Sequence, residues 1–269
     1  MCKTCHQEQF ERFSATTMGK LFLKHPRNAQ EKLGCEGCHG PGKAHVDAGG
    51  GKGVGGLISF AKTDRTPVER RNAICLQCHD KAARLFWQGS AHESRNVACT
   101  NCHRVMENVS ERAQLAKATE MDTCGQCHLQ KRAQQMRFTH MPVREGKMTC
   151  TSCHNPHGTV SEKLLKATSV NDTCYTCHAE KRGPFLWEHP PVQENCLNCH
   201  DPHGSNHERM LKLARPRLCQ QCHIESRHPT RPYAPTTANS RFLFGRQCAN
   251  CHAGNIHGSN HPSGNAFTR

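Results

Sequence analysis

All twenty cysteines of this 269-residue chain fall in Cys-x-x-Cys-His units, ten in number. The first five are Cys2, Cys5 and His6; Cys35, Cys38 and His39; Cys75, Cys78 and His79; Cys99, Cys102 and His103; and Cys124, Cys127 and His128. The second five are Cys150, Cys153 and His154; Cys174, Cys177 and His178; Cys196, Cys199 and His200; Cys219, Cys222 and His223; and Cys248, Cys251 and His252. This spacing is the attachment signature of c-type haem. The two thiols add to the porphyrin vinyl groups, and the next side chain offers an imidazole to the iron. Paired cysteines also build zinc sites, thioredoxin-like redox centres and disulfide frameworks. None of these explains a histidine after the second cysteine in every unit, so ten covalent c-type haems are expected.

Haem also resolves a difficulty of composition. The chain is 35% hydrophobic with two Trp and two Tyr, against roughly 45–50% apolar residues in ordinary domains. Side chains this polar do not offset the ordering entropy of a folded chain. Ten flat macrocycles supply the missing apolar surface, so attachment and folding are expected to be one event, as with structural metals.

The formal charge of +14 would ordinarily suggest nucleic acid. Twenty haem propionates lower that figure and ten ferric cores raise it, leaving about +4 oxidised and about −6 reduced. The Lys and Arg read as propionate partners, and nucleic acid is excluded. No run of eighteen apolar residues offers a membrane-spanning helix. A targeting segment is expected outside this numbering. Because bacteria attach c-type haem outside the cytoplasmic membrane, a periplasmic location is expected.

The units alternate in two types. The short type carries basic residues after the motif, as in CLQCHDKAAR, CGQCHLQKR and CYTCHAEKR. The other has a histidine before its first cysteine (His25, His92, His140 and His189) and a further histidine after the motif (His45, His157, His203 and His257). Removing the ten motif histidines from 21 leaves these eight with His207, His228 and His261. Ten irons need ten sixth ligands, and the supply nearly matches. At three residues past the motif, where His157 and His203 stand, the fourth unit has Met106. Methionine is a known axial ligand that raises the reduction potential. The expected distal set is His25, His45, His92, Met106, His140, His157, His189, His203, His228, His257 and His261, one of the last two being surplus. The open alternative makes Met106 a packing residue, with His207 or His261 as ligand.

The expected fold is a multihaem cytochrome c: mostly irregular, with short α-helices, little or no β-structure, and an elongated haem wire. Short helices are expected at Glu111–Lys117 and Glu162–Ala167. The segment GGGKGVGG (49–56) lacks the Gly-Lys-Ser/Thr ending and flanking strand of a phosphate loop and reads as a flexible loop.

With ten motifs, paired CHxPHG units and a terminal IHGSNHPSG, the chain resembles the periplasmic decahaem subunit of outer-membrane porin–cytochrome conduits, the MtrA/MtoA/PioA type. A decahaem partner of periplasmic dimethyl sulfoxide reductases is related. The resemblance spans nearly the whole chain, most closely over Asn171–His203 and Leu218–Gly264. It implies a cytochrome threaded into a β-barrel porin. Electrons would pass between periplasmic cytochromes or other redox carriers and an outer-surface multihaem cytochrome or extracellular iron. It also implies two pentahaem halves, 1–133 and 134–269. The metal-reducing members resemble one another in having His where Met106 stands here, so a higher-potential haem fits Fe(II) oxidation slightly better than metal reduction. A soluble periplasmic shuttle feeding a terminal reductase is the alternative. A multihaem nitrite or hydroxylamine enzyme is disfavoured, because no Cys-x-x-Cys-Lys occurs.

Overall fold

A chain this poor in apolar residues builds only short helices. The computed structural model describes residues 2–61, 63–140, 143, 145–223, 248–252 and 255–267. The longest helices among them, α1 (Gln7–Ala15) and α2 (Val68–Leu76), have nine residues. Isolated helices under about 12–15 residues are marginal in water, so these depend on what packs against them. Among the described residues strand-like pairing is limited to isolated bridges, such as Phe138 with Ser205 and Trp187 with Ser259.

Two compact units are present: Met1–His128 with His154–Val160, and Leu129–Cys153 with Ser161–Arg269. The first takes in residues 154–160 for a local reason. The Asn155 amide donates to the Ala83 carbonyl at 2.7 Å, and Pro156 accepts from His92.

The best-formed apolar cluster lies near the start of the first unit. Fully buried Thr16 ends α1 and caps the following helix, Thr17–Lys24. Its hydroxyl donates to Phe13 O at 2.8 Å and accepts from Gly19 N at 2.9 Å, a standard N-cap. The turn brings Phe13 edge-on to Phe22 at 6.5 Å. Elsewhere the buried apolar side chains among the described residues are few: Ile58, Trp87, Ala98 and Leu211. Leu85, Leu129, Phe138 and Val160 all stand more than 60% exposed. Apolar surface of this kind suits burial against a macrocycle.

The two helices expected after motifs are not formed as such. Residues 111–117 are irregular, with Ala113 and Gln114 at φ +54° and +47°. Only Glu162–Leu164 of the second is helical, a single 3-10 turn with Lys163 at φ +55°. In the first case the reason is visible. The left-handed turn lets Gln114 O accept from Arg104 N at 2.7 Å and Ala113 O accept from the His103 ring at 2.8 Å. Helix formation would withdraw both carbonyls.

Candidate haem-binding sites

Each site begins with one helical turn. At nine motifs the His N–H donates to the carbonyl of the first cysteine, at 2.9–3.1 Å; His6 to Cys2 and His200 to Cys196 are examples. Residues spaced i, i+3 and i+4 share a helix face. Both sulfurs and the imidazole are thereby presented to one side, as a haem edge and its iron require. Among the described residues no group of three or more His, Cys, Asp or Glu is gathered as a metal cage.

The second cysteine is exposed in the first, third, fifth, seventh and ninth motifs: Cys5, Cys78, Cys127, Cys177 and Cys222. Cys5 ends the helix Cys2–Cys5 and stands exposed, whereas Cys35 and Cys38 of the next motif are half-buried. So little protein lies over Cys5 that a macrocycle bound there would supply most of its cover. At the tenth motif, Cys251 and His252 close the helix Ala249–His252, and His252 N donates to Cys248 O at 3.0 Å. The backbone of Cys251 therefore takes the turn its spacing demands, while its side chain lies outside the described residues. His252 itself is half-buried.

Backbone carbonyls orient the motif imidazoles. The Nδ1–H of His39 donates to Ile58 O at 2.8 Å, that of His103 to Ala113 O at 2.8 Å, and that of His200 to Arg209 O at 2.9 Å. A carbonyl can only accept, so the proton sits on Nδ1 and Nε2 keeps its lone pair for iron.

The remaining histidines meet them. Ring centroids of His6 and His45 are 6.3 Å apart, His103 and His157 6.0 Å, and His92 and His128 6.1 Å. For His140 and His178 the separation is 5.9 Å, for His189 and His223 6.2 Å, and for His200 and His257 6.2 Å. Two metal–imidazole bonds of roughly 2 Å plus the nitrogen-to-centroid offsets span about 6 Å. All six pairs match that span, so the side chains fit a bis-imidazole iron. Burial pushes the His157 imidazole down to about 4, with His103 and Arg84 adding to the effect. Burial also lowers His140, His189 and His257. These rings are neutral near pH 7, the form that ligates.

Local chemistry explains why the paired units read Asn/Asp-Pro-His-Gly. Asn155 Oδ1 accepts from His157 N at 3.1 Å and Asp201 Oδ1 from His203 N at 3.0 Å, each an Asx turn presenting the histidine. The glycine that follows has φ of +114° at Gly158, +124° at Gly204 and +147° at Gly258. Each also sits where a Cβ would collide with a neighbouring segment: Phe86, Gln134 and Phe185 respectively. The Gly-rich loop 49–56 has a comparable role. A Cβ on Gly55 would lie 2.8 Å from that of His45, and Val54 O accepts from the His45 Nδ1–H at 3.1 Å. The loop is a wrapping for His45.

Consecutive motifs approach through their sulfurs. The Cys75 thiol hydrogen-bonds to Cys99 sulfur, which raises the first thiol and lowers the second. Cys174 hydrogen-bonds to Cys196 in the same way, and Cys196 falls to about 7. Burial and then a neighbouring thiol raise Cys35 (beside Cys2), Cys38 (beside Cys78), Cys102 (beside Cys127), Cys153 (beside Cys177), Cys199 (beside Cys222) and Cys219 (beside Cys248). Thioether formation removes these protons but leaves the proximity. Motif-to-motif neighbourhood therefore follows chain order within each unit.

Two asparagines that motif reading did not single out brace this arrangement. Buried Asn72 accepts from Cys99 N at 2.9 Å and donates to Val97 O at 3.0 Å. Asn171 accepts from Cys196 N at 2.8 Å and donates to Val192 O and Gln193 O, both at 3.0 Å. Each stands three residues before the first cysteine of its own motif and holds the first cysteine of the next. That shared offset is the only signal in the sequence.

Of the other expected ligands, His25 caps the helix Thr17–Lys24. Met106 is 37% exposed. His207 immediately precedes the turn Glu208–Met210. His261 turns Nδ1 onto Ser263, accepting from its N–H at 3.2 Å. That acceptor role leaves the proton on Nε2, which suits a surplus histidine better than a ligand. His228 lies outside the described residues. No helix among those described is long and apolar enough to cross a membrane.

Comparison with known proteins agrees with this geometry. The doubled CXXCH motif family matches residues 140–183 and 189–228, and the cytochrome c-type protein NrfB-like family matches 35–121. The high-molecular-weight cytochrome c of Nitratidesulfovibrio vulgaris is 23% identical over 181 residues, covering 64% of this chain and 29% of that protein. The multiheme cytochrome MtrA of Shewanella baltica is 41% identical over 274 aligned residues, spanning all of this chain and 80% of the relative. Attachment turns, oriented imidazoles and whole-length identity together place the chain in the family of MtrA-type multihaem c-type cytochromes, electron carriers rather than enzymes.

Proposed function

We propose that the chain carries ten c-type haems and conducts electrons across the outer membrane inside a β-barrel porin, linking periplasmic carriers to extracellular iron. The observation that carries the electron-transfer reading is the set of six imidazole pairs at iron-spanning separation. A haem held between such a pair of histidines would have no coordination position left for substrate and would supply one-electron exchange. The proposed pairs are His6 with His45, His103 with His157, His128 with His92, His178 with His140, His200 with His257, and His223 with His189. The other proximal ligands are His39, His79, His154 and His252. His25, His203, His228 and Met106 supply the distal positions of those irons. The two pentahaem halves, 1–133 and 134–269, belong to this reading as successive stretches of one relay.

The bound haems supply reversible one-electron chemistry. The chain's part is to hold imidazole nitrogens unprotonated toward each iron, to space the motifs in order, and to exclude other ligands. Identity with MtrA over the whole chain supports the porin-embedded role. Met106, as a potential-raising ligand, favours electrons entering from extracellular Fe(II) over metal reduction.

Affinity purification of the native chain from outer membranes is the test. A co-purifying β-barrel, with ten haems per chain by pyridine haemochrome, is the expected result. A chain recovered alone from the soluble periplasm would overturn the conduit and favour a shuttle to a terminal reductase.

A further inference from the structure

We propose that Met106 is the sixth ligand to the iron of the haem attached at Cys35 and Cys38, opposite His39. This deepens the haem reading above and rests on it.

The first support is a repeated construction. The segments after the sixth, eighth and tenth motifs carry His157-Gly158, His203-Gly204 and His257-Gly258. Each glycine packs on the stretch that follows a motif three places earlier: Phe86 after His79, Gln134 after His128, and Phe185 after His178. Two residues past the histidine the backbones pair. Ser205 exchanges hydrogen bonds with Phe138 at 2.8 and 3.1 Å, and Ser259 with Trp187 at 2.8 and 2.9 Å.

The segment after the fourth motif has a corresponding neighbour, held through side chains, with Glu107 where the others have glycine. Its neighbour is the stretch after His6, again three motifs earlier. Arg12 pairs with Glu107 at 3.2 Å, and Asn108 Nδ2 donates to Ala15 O at 3.1 Å. Asn108 is two residues past Met106, as Ser205 is past His203 and Ser259 past His257. Met106 therefore occupies the position of the distal histidines.

The second support identifies the iron. His157, after motif six, faces His103 of motif four, and His257, after motif ten, faces His200 of motif eight. Both reach back two motifs. The same step from motif four arrives at motif two and His39. Histidines ahead of a motif reach forward by one instead: His92 to His128, His140 to His178 and His189 to His223. That rule sends His25, ahead of motif two, to His79, and leaves His39 to Met106. His39 is ready for it, since Ile58 O holds its Nδ1–H and frees Nε2. Phe60 lies edge-on at 5.5 Å, adding an apolar flank.

The test uses the ten-haem protein. The ferric wild type should show a near-infrared methionine-to-iron charge-transfer band. Met106→His should abolish it, keep ten haems low-spin, and remove the highest-potential component, about a tenth of the titration amplitude. A density map of the holoprotein at side-chain resolution should place Met106 Sδ on the haem joined to Cys35 and Cys38. Absence of the band from the wild type, its survival in Met106→His, or Met106 on another iron would each overturn the assignment. Fewer than ten haems in the wild type would count against the haem reading itself, independently of Met106.

Discussion

Gly158→Ala tests whether close backbone approach positions a ligand. The Cβ of alanine would lie 2.6 Å from the Phe86 carbonyl carbon, where nonbonded carbons settle at roughly 3.5 Å. The two segments must part by about 1 Å, because the obstacle is backbone and cannot rotate away. The retained φ of +114° adds strain on the order of 1–3 kcal/mol. His157 is the preceding residue, and metal–ligand distances tolerate only about 0.2 Å. A shift of this size takes its nitrogen off the iron facing His103. Resonance Raman and visible spectra should then show high-spin haem amounting to about a tenth of the total, with all ten still attached. Gly89→Ala is the control: its φ is also positive, +78°, yet a Cβ there meets nothing within 4 Å. If Gly158→Ala stays as fully low-spin as Gly89→Ala, the collision does not govern the ligand and the reasoning fails.

Gly55→Ala should loosen the wrapping of His45 and give a high-spin signal assignable to the first haem; an unchanged spectrum would remove that role from the loop. Asn171→Ala strands the Cys196 N–H and two carbonyls, so thermal unfolding of the holoprotein should show a loss of about 1–3 kcal/mol, whereas Asn108→Ala, on exposed groups, should cost less. On pH, a histidine whose folded pKa is depressed stabilises the fold above its unfolded value, near 6.5, and loses that contribution as pH falls toward the folded value. For His157 the window runs from about 6.5 down to about 4. Iron binding holds the ring neutral further still, so the low-spin spectrum should persist to about pH 4, and high-spin conversion at pH 5–6 would contradict a ligating His157.

The motif turns and the histidine pairings were legible in the sequence because both follow from fixed residues at fixed spacing. Each Cys-x-x-Cys-His forms the turn its spacing demands, and His45, His92, His140, His157, His189 and His257 all meet a motif imidazole. Backbone roles were much less legible. Residues 111–117 have acceptable helix composition, yet their carbonyls serve His103 and Arg104, and tertiary demand overrides propensity there. Asn72 and Asn171 look like ordinary helix residues, since their partners lie about 25 residues downstream. The glycine run 49–56 displays flexibility in one dimension and a close packing of Gly55 on His45 in three.

The order in which paired imidazoles occur along the chain bears on how the molecule is made. His92, His140 and His189 precede the motif histidines they face, whereas His45, His157 and His257 follow theirs. A chain emerging amino end first into the compartment where haem is attached delivers the first group's ligand in advance. For the second group it cannot: His103 stands alone until the segment carrying His157, a whole motif beyond the next, has crossed. On this order a site with an upstream partner could close at attachment, whereas those at His6, His103 and His200 would wait for theirs. The waiting sites at His103 and His200 are the ones whose late partner, His157 or His257, is followed by a glycine packed against an earlier segment.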